Sequence, residues 1–145
     1  MLILGAPAAM VMAQDQDEAT KAELKKLEGS WKVVSMQMAG KNEALEGKKL
    51  VFTFKGDKMI QSFEGNELPP GTIKINAKAD PKHLDMIASD GPNKGKPDMS
   101  VYILDGDTLK IAGYAGDTSL TKRPTTFPKD GDPEMDIFVL KREKI

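Results

Sequence analysis

The chain has 145 residues, with 21 basic and 22 acidic side chains giving a formal charge of −1, and 39% of its residues are hydrophobic. That length and balance fit one soluble, globular domain burying roughly two-thirds of its unfolded surface. The two signs interleave, so there is no basic stripe to collect phosphates and nucleic-acid binding is not expected, while the absence of cysteine removes disulfides, thiolate nucleophiles and cysteine-ligated metals.

Residues 1–13 are apolar and uncharged, and they end in Val11-Met12-Ala13 before the acidic stretch Gln14-Asp15-Gln16-Asp17-Glu18. Small residues at the last and third-last positions suit cleavage after Ala13, so residues 1–13 are expected to be a truncated signal peptide that lacks its positive leader. The expected location is then exported, periplasmic or extracellular. The run falls short of the ~20 apolar residues a bilayer span needs, so no stable membrane insertion is expected. A disordered tail, or one that caps the domain, is the plain alternative. Residues 14–28 read as a short helix or linker, with Ala19, Ala22, Leu24 and Leu27 forming a narrow apolar stripe and acids at the start, where the helix dipole favours them. Gly29 ends it.

Beyond Gly29 the hydrophobic period changes to two. Trp31–Met38 is the first predicted strand. Lys49–Phe54 and Lys58–Phe63 follow, joined by a tight turn at Lys55-Gly56 that sets Phe52 opposite Met59. Leu50, Phe52, Phe54, Met59, Gln61 and Phe63 then share one face. Thr72–Asn76 points Ile73 and Ile75 inward, and His83–Ala88 does the same for Leu84 and Met86. After a breaker-rich loop at 90–97 comes the strongest hairpin, Met99–Leu104 and Asp107–Ile111, turning at Asp105-Gly106, where both positions accept positive φ. Tyr102, Leu104, Leu109 and Ile111 share a face in that register. Residues 113–136 read as a flap, or as hiding a short strand near Thr125–Phe127. Ile137–Arg142 closes the chain, with Phe138, Leu140 and Arg142 on one face. Regular hairpin steps without βαβ alternation make this an all-β molecule, an antiparallel barrel or sandwich of eight to nine strands with a short N-terminal helix, the domain spanning 29–144.

The residues at the two ends of the sheet tip the choice toward a barrel. Gly29-Ser30-Trp31 opens the first strand and Leu140-Lys141-Arg142 closes the last. Between them stand Leu50-Val51-Phe52 with Lys55-Gly56-Asp57, Asp90-Gly91-Pro92-Asn93-Lys94-Gly95-Lys96, Tyr102 to Lys110, and Arg123-Pro124-Thr125-Thr126-Phe127. Together these resemble a functionally uncharacterised, lipocalin-like (calycin-type) domain family abundant in planctomycete bacteria, over residues 27–144. The resemblance implies a barrel closed by Trp31 with Arg142 over its face, a cation–π contact of about 0.5–2 kcal/mol, and it implies export. It brings no catalytic residues. Ala112-Gly113 stand where such domains often carry a cysteine, and the stretch from Gly113 to Arg123 is longer than usual for them.

His83 is the single histidine; no nucleophile motif accompanies it, and its parity, opposite to Leu84 and Met86, points it to solvent. Asp130, Asp132, Glu134 and Asp136 alternate in a loop, yet Met135 and Lys141 occupy the positions where a calcium loop needs Gly and Glu, so a solvated acidic turn is expected and no metal. The Gly91–Lys96 stretch fails phosphate-loop spacing. No cofactor is implied, and the chain is expected not to be an enzyme. A small hydrophobic ligand is the expected partner if the inward residues Phe52, Phe54, Met59, Gln61, Phe63, Met86, Tyr102, Leu109 and Phe138 line an apolar pocket. The same side chains also read simply as core, because a chain of this length has little apolar volume to spare. The functional expectation is an exported, ligand-binding barrel; the alternative is an interaction or envelope accessory module with a solid barrel and no ligand.

Overall fold

The computed structural model describes residues 18–144. The apolar run 1–13 and residues 14–17, on which the cleavage and location expectations rest, lie outside the described residues. A helix, α1, covers 18–27. Ten strands follow: β1 (Gly29–Met38), β2 (Lys41–Asn42), β3 (Leu50–Lys55), β4 (Lys58–Phe63), β5 (Asn66–Glu67), β6 (Gly71–Asn76), β7 (Lys82–Ala88), β8 (Pro97–Asp105), β9 (Thr108–Tyr114) and β10 (Met135–Arg142). Eight of them form an antiparallel ring, in the order β1-β3-β4-β6-β7-β8-β9-β10, closed by the β10–β1 pairing; β2 and β5 are two-residue additions at its edge. The expected all-β barrel with an N-terminal helix is therefore the architecture found. Among the described residues no helix is long and apolar enough to cross a membrane.

Alternation along each strand turns one side of the sheet inward. Strand β1 departs from that rule. Its register against β10 slips between Val33 and Ser35, a bulge at Val34. Before the slip Trp31 and Val33 are buried; after it Met36 packs against the core and Val34 is left exposed. One extra residue thus exchanges the inward and outward sets, which a uniform period of two does not anticipate.

Both predicted hairpins form, one position later than expected. The turns are Gly56-Asp57 and Gly106-Asp107, with Lys55 opposite Lys58 and Asp105 opposite Thr108. Gly56 and Gly106 carry φ of 58° and 59°. Asp57 and Asp107 stay at negative φ, among the described residues outside the two positive-φ non-glycines. Glycine at the first central position with an ordinary residue at the second is the type II′ arrangement, not the type I′ turn that Asp-Gly suggests. Phe52 therefore faces Gln61, and Phe54 faces Met59. The shift is two residues, so the shared inward face of each hairpin survives.

Segment 115–134 contains no strand near Thr125–Phe127. It holds a 3-10 turn at Gly116–Leu120 and then straps across the outside of β8, β9 and β10. Outward-facing Val101, Ala112, Met135 and Ile137 form a second apolar cluster there, with Tyr114 and Phe127 packed on it. Arg123 pins the strap: its Nη1 donates to the Ser100 carbonyl at 2.9 Å, and its Nη2 lies 2.6 Å from Asp85 Oδ1.

Candidate functional site

The barrel has two unlike ends. At one, α1 and the β3–β4 and β8–β9 turns meet the beginning of β1 and the end of β10. Trp31 is fully buried there, and the Arg142 guanidinium carbon lies 4.2 Å from its ring centre. The two also cap α1. Arg142 Nη2 donates to the Lys26 carbonyl and Nη1 to that of Glu28, each at 2.7 Å, while Trp31 Nε1 donates to the Leu27 carbonyl at 2.8 Å. Three consecutive carbonyls that a helix end leaves unsatisfied thus find charged or aromatic donors. Gly29 makes the geometry possible: its φ is 118°, and a Cβ there would sit 3.3 Å from Arg142 Nη1. That is the physical content of the Gly-x-Trp and Arg pattern.

Sequence reading missed the next layer. Ala22 of the expected stripe is exposed and Glu23 is buried instead. Its Oε1 accepts from Tyr102 Oη and from Lys82 Nζ, both at 2.9 Å. Burial pushes the Glu23 carboxyl up, but these two donors and the charges of Lys82 and Lys26 outweigh it and hold the group below its ordinary value. Tyr102 is pushed upward, by burial first and then by the carboxylate it serves. An isolated Glu among lysines carries no hydropathy signal, so only the facing Tyr102 and Lys82 reveal its role.

The other end is hollow. A cavity of about 340 Å³ opens between the inner walls of β4, β7, β8, β9 and β10. Its aromatic side is the pair Phe52 and Phe138, ring centres 5.7 Å apart and tilted by 41°. Met59, Met86 and Ile111 continue the apolar wall, and Gln61 stands among them, its Nε2 3.7 Å from Met86 Sδ. Ser100 also lines the space, with its hydroxyl donating to the Leu84 carbonyl at 2.7 Å.

Of the nine residues expected to line a pocket, Phe52, Met59, Gln61, Met86 and Phe138 are brought together around this cavity. The other four are not. Phe54, Tyr102 and Leu109 are packed solid in the closed half with Trp31 and Leu140, where Tyr102 serves Glu23. Phe63 is 46% exposed at the far end of β4, where the sheet pairs with the short β5 and leaves the wall uncovered. Core and pocket were posed as rivals; the barrel divides the residues between them.

The polar rim of the cavity was not anticipated. Asp98 near the start of β8, Asp136 near the start of β10, and Ser119 of the strap's 3-10 turn all line it. The Asp98 carboxyl is raised above its ordinary value, chiefly because the concave walls strip away bulk water even though solvent still reaches it through the mouth. The Asp136 and Asp85 carboxylates add to the rise, and the Ser119 hydroxyl opposes it. Asp136 Oδ1 also accepts from the Ala39 backbone N–H at 2.9 Å, tying β10 to the β1–β2 turn. Within the acidic loop, Asp132 accepts from the Glu134 N–H at 3.0 Å. Among the described residues no three His, Cys, Asp or Glu side chains converge as metal ligands. His83 stands on the outer face, opposite Val101 and partly covered; burial and the Arg123 charge lower its basicity, against the pull of Asp85.

No family model, curated protein or solved structure matches the chain.

Proposed function

We propose that this chain is a non-catalytic, exported container of lipocalin-like type, which holds a small apolar or amphipathic molecule in the open half of its barrel. The observation that carries the reading is the cavity of about 340 Å³ beside the Phe52–Phe138 pair. Its volume lies at the small end of the roughly 300–1,000 Å³ range of ligand sites, and a mostly apolar wall with a few convergent polar groups is the usual composition of such sites. Methionines suit a wall that adapts to its occupant. Support for a non-enzymatic role comes from His83, which faces away from the cavity-lining Leu84 and Met86. Support for export comes from the sequence of residues 1–13 and the abrupt change to acidic residues after them.

The test is saturable binding of an environment-sensitive apolar fluorophore such as anilinonaphthalene sulfonate's neutral analogue, N-phenylnaphthylamine. Wild type is expected to give one saturable site, and Met86→Trp, which fills the cavity from β7, is expected to weaken it about tenfold or more while the protein still unfolds cooperatively. No saturable site in wild type would overturn the container reading and leave the alternative, an interaction or envelope accessory module using the outer wall and the strap.

A further inference from the structure

We infer that the cavity selects a protonated amine carrying a short apolar group, in preference to a fatty acid or a neutral alcohol of the same length. The inference rests on the container reading and adds to it the charge of the ligand's head.

Among the described residues two carboxylates, Asp98 and Asp136, line the cavity, and no Lys, Arg or His does. Neither carboxylate takes part in an ion pair among the described residues; the ion-paired acids are Glu23, Asp85, Asp107 and Glu143. Lys122, from the strap, stacks on Tyr114 at 4.6 Å from its ring centre and lines none of the cavity. The mouth therefore carries two carboxylates without an ion-pair partner among the described residues, over an apolar space. Asp98 is raised above its ordinary value chiefly by desolvation, and the Asp136 and Asp85 carboxylates add to the rise.

A cation placed between the rim carboxylates relieves their repulsion, and a carboxylate placed there increases it. An ammonium group adds donors that Asp98, Asp136 and the Gln61 side-chain oxygen can accept, giving charge-assisted hydrogen bonds in a partly desolvated site. The same head reaches toward the faces of Phe52 and Phe138 with its first methylenes, whose attraction to aromatic rings is strengthened by the adjacent positive charge. An apolar tail then occupies the wall of Met59, Met86 and Ile111. Shape alone does not distinguish amine from acid. The rim does.

The experiment is a competition series in which octylamine, octanol and octanoate displace N-phenylnaphthylamine at neutral pH, on wild type and on Asp98→Asn with Asp136→Asn. Asn keeps the shape of each rim residue, and at position 136 its side-chain oxygen still accepts the Ala39 N–H. The expected result is that octylamine binds wild type about tenfold or more tightly than octanol, that octanoate binds more weakly than octanol, and that in the double variant the ratio of octylamine to octanol affinity falls to near one. Octanol binding without any amine preference, or a preference that survives the double variant, overturns the inference and leaves the container standing. Failure of all three to displace the probe overturns the container as well. The wild-type comparison decides the matter even if the double variant does not fold.

Discussion

Arg142 and Glu23 each do several things from one position. The Arg142 guanidinium covers Trp31, caps α1 through two carbonyls and reaches Asp107 at 3.1 Å. A lysine cannot make that fork, because its ammonium is a single point of charge. Arg142→Ala is expected to cost about 2 kcal/mol in denaturant unfolding, the sum of a half-exposed cation–π contact and lost capping bonds, and Arg142→Lys to recover less than half of it. Full recovery by lysine would show that charge alone matters. Glu23 makes a prediction in pH. Its folded-state carboxyl titrates below the ordinary 4.5, so the ionised group stabilises the fold above that value, and the contribution disappears as pH falls through the lowered folded value. Unfolding free energies should therefore show wild type more stable than Glu23→Gln at neutral pH, with the gap closing as the pH falls below the ordinary carboxylate range and the carboxyl protonates in the folded state. A gap unchanged by acid would mean that the Lys82 and Tyr102 contacts do not depend on the charge. The Trp31–Arg142 pairing was legible only through the resemblance carried by Gly29-Ser30-Trp31 and Leu140-Lys141-Arg142. Glu23 was not legible, because a buried acid is defined by partners 59 and 79 residues away.

At the scale of elements, alternation survives local errors of position. Placing the two hairpin turns one residue early moved every partner by two, and Phe52, Phe54, Met59 and Gln61 kept their face. The bulge at Val34 is different in kind, since a single extra residue reverses parity and no spacing in β1 announces it. The strap is harder still to read from sequence. Its apolar contact, Phe127, follows neither a helical nor a strand period, and what orders it is the second cluster on the outer wall. Arg123 holds that strap by one charged pair and one carbonyl bond, with both side chains only about a fifth exposed. Arg123→Ala leaves Asp85 without its cation, and the expected outcomes are a loss of about 1–3 kcal/mol and faster proteolytic cleavage within residues 115–134. Unchanged cleavage would mean that Phe127 and its cluster suffice to hold the segment.

For the whole molecule, closure and filling are separate questions. An eight-stranded barrel has room for side chains or for one small ligand. Composition and alternation led to a barrel or a sandwich and the Trp31–Arg142 closure pattern to the barrel, and none of them divides the nine residues expected to face inward between a packed half and a hollow half. That division follows from which end α1 covers: Leu27 and Trp31 fill the space beside Phe54, Leu109 and Leu140, and among the described residues nothing comparable enters beside Phe52 and Phe138. The account is tested most directly by the methionines themselves. Met59 and Met86 line the cavity, whereas Met99 stands on the outer face of β8 and Met135 belongs to the cluster beneath the strap. In a protein with methyl-labelled methionine, titrated with octanol and followed by nuclear magnetic resonance, the Met59 and Met86 methyl signals are expected to move saturably while those of Met99 and Met135 stay in place. Signals that stay fixed at every position, or that move first at Met99 and Met135, would contradict a ligand-holding barrel.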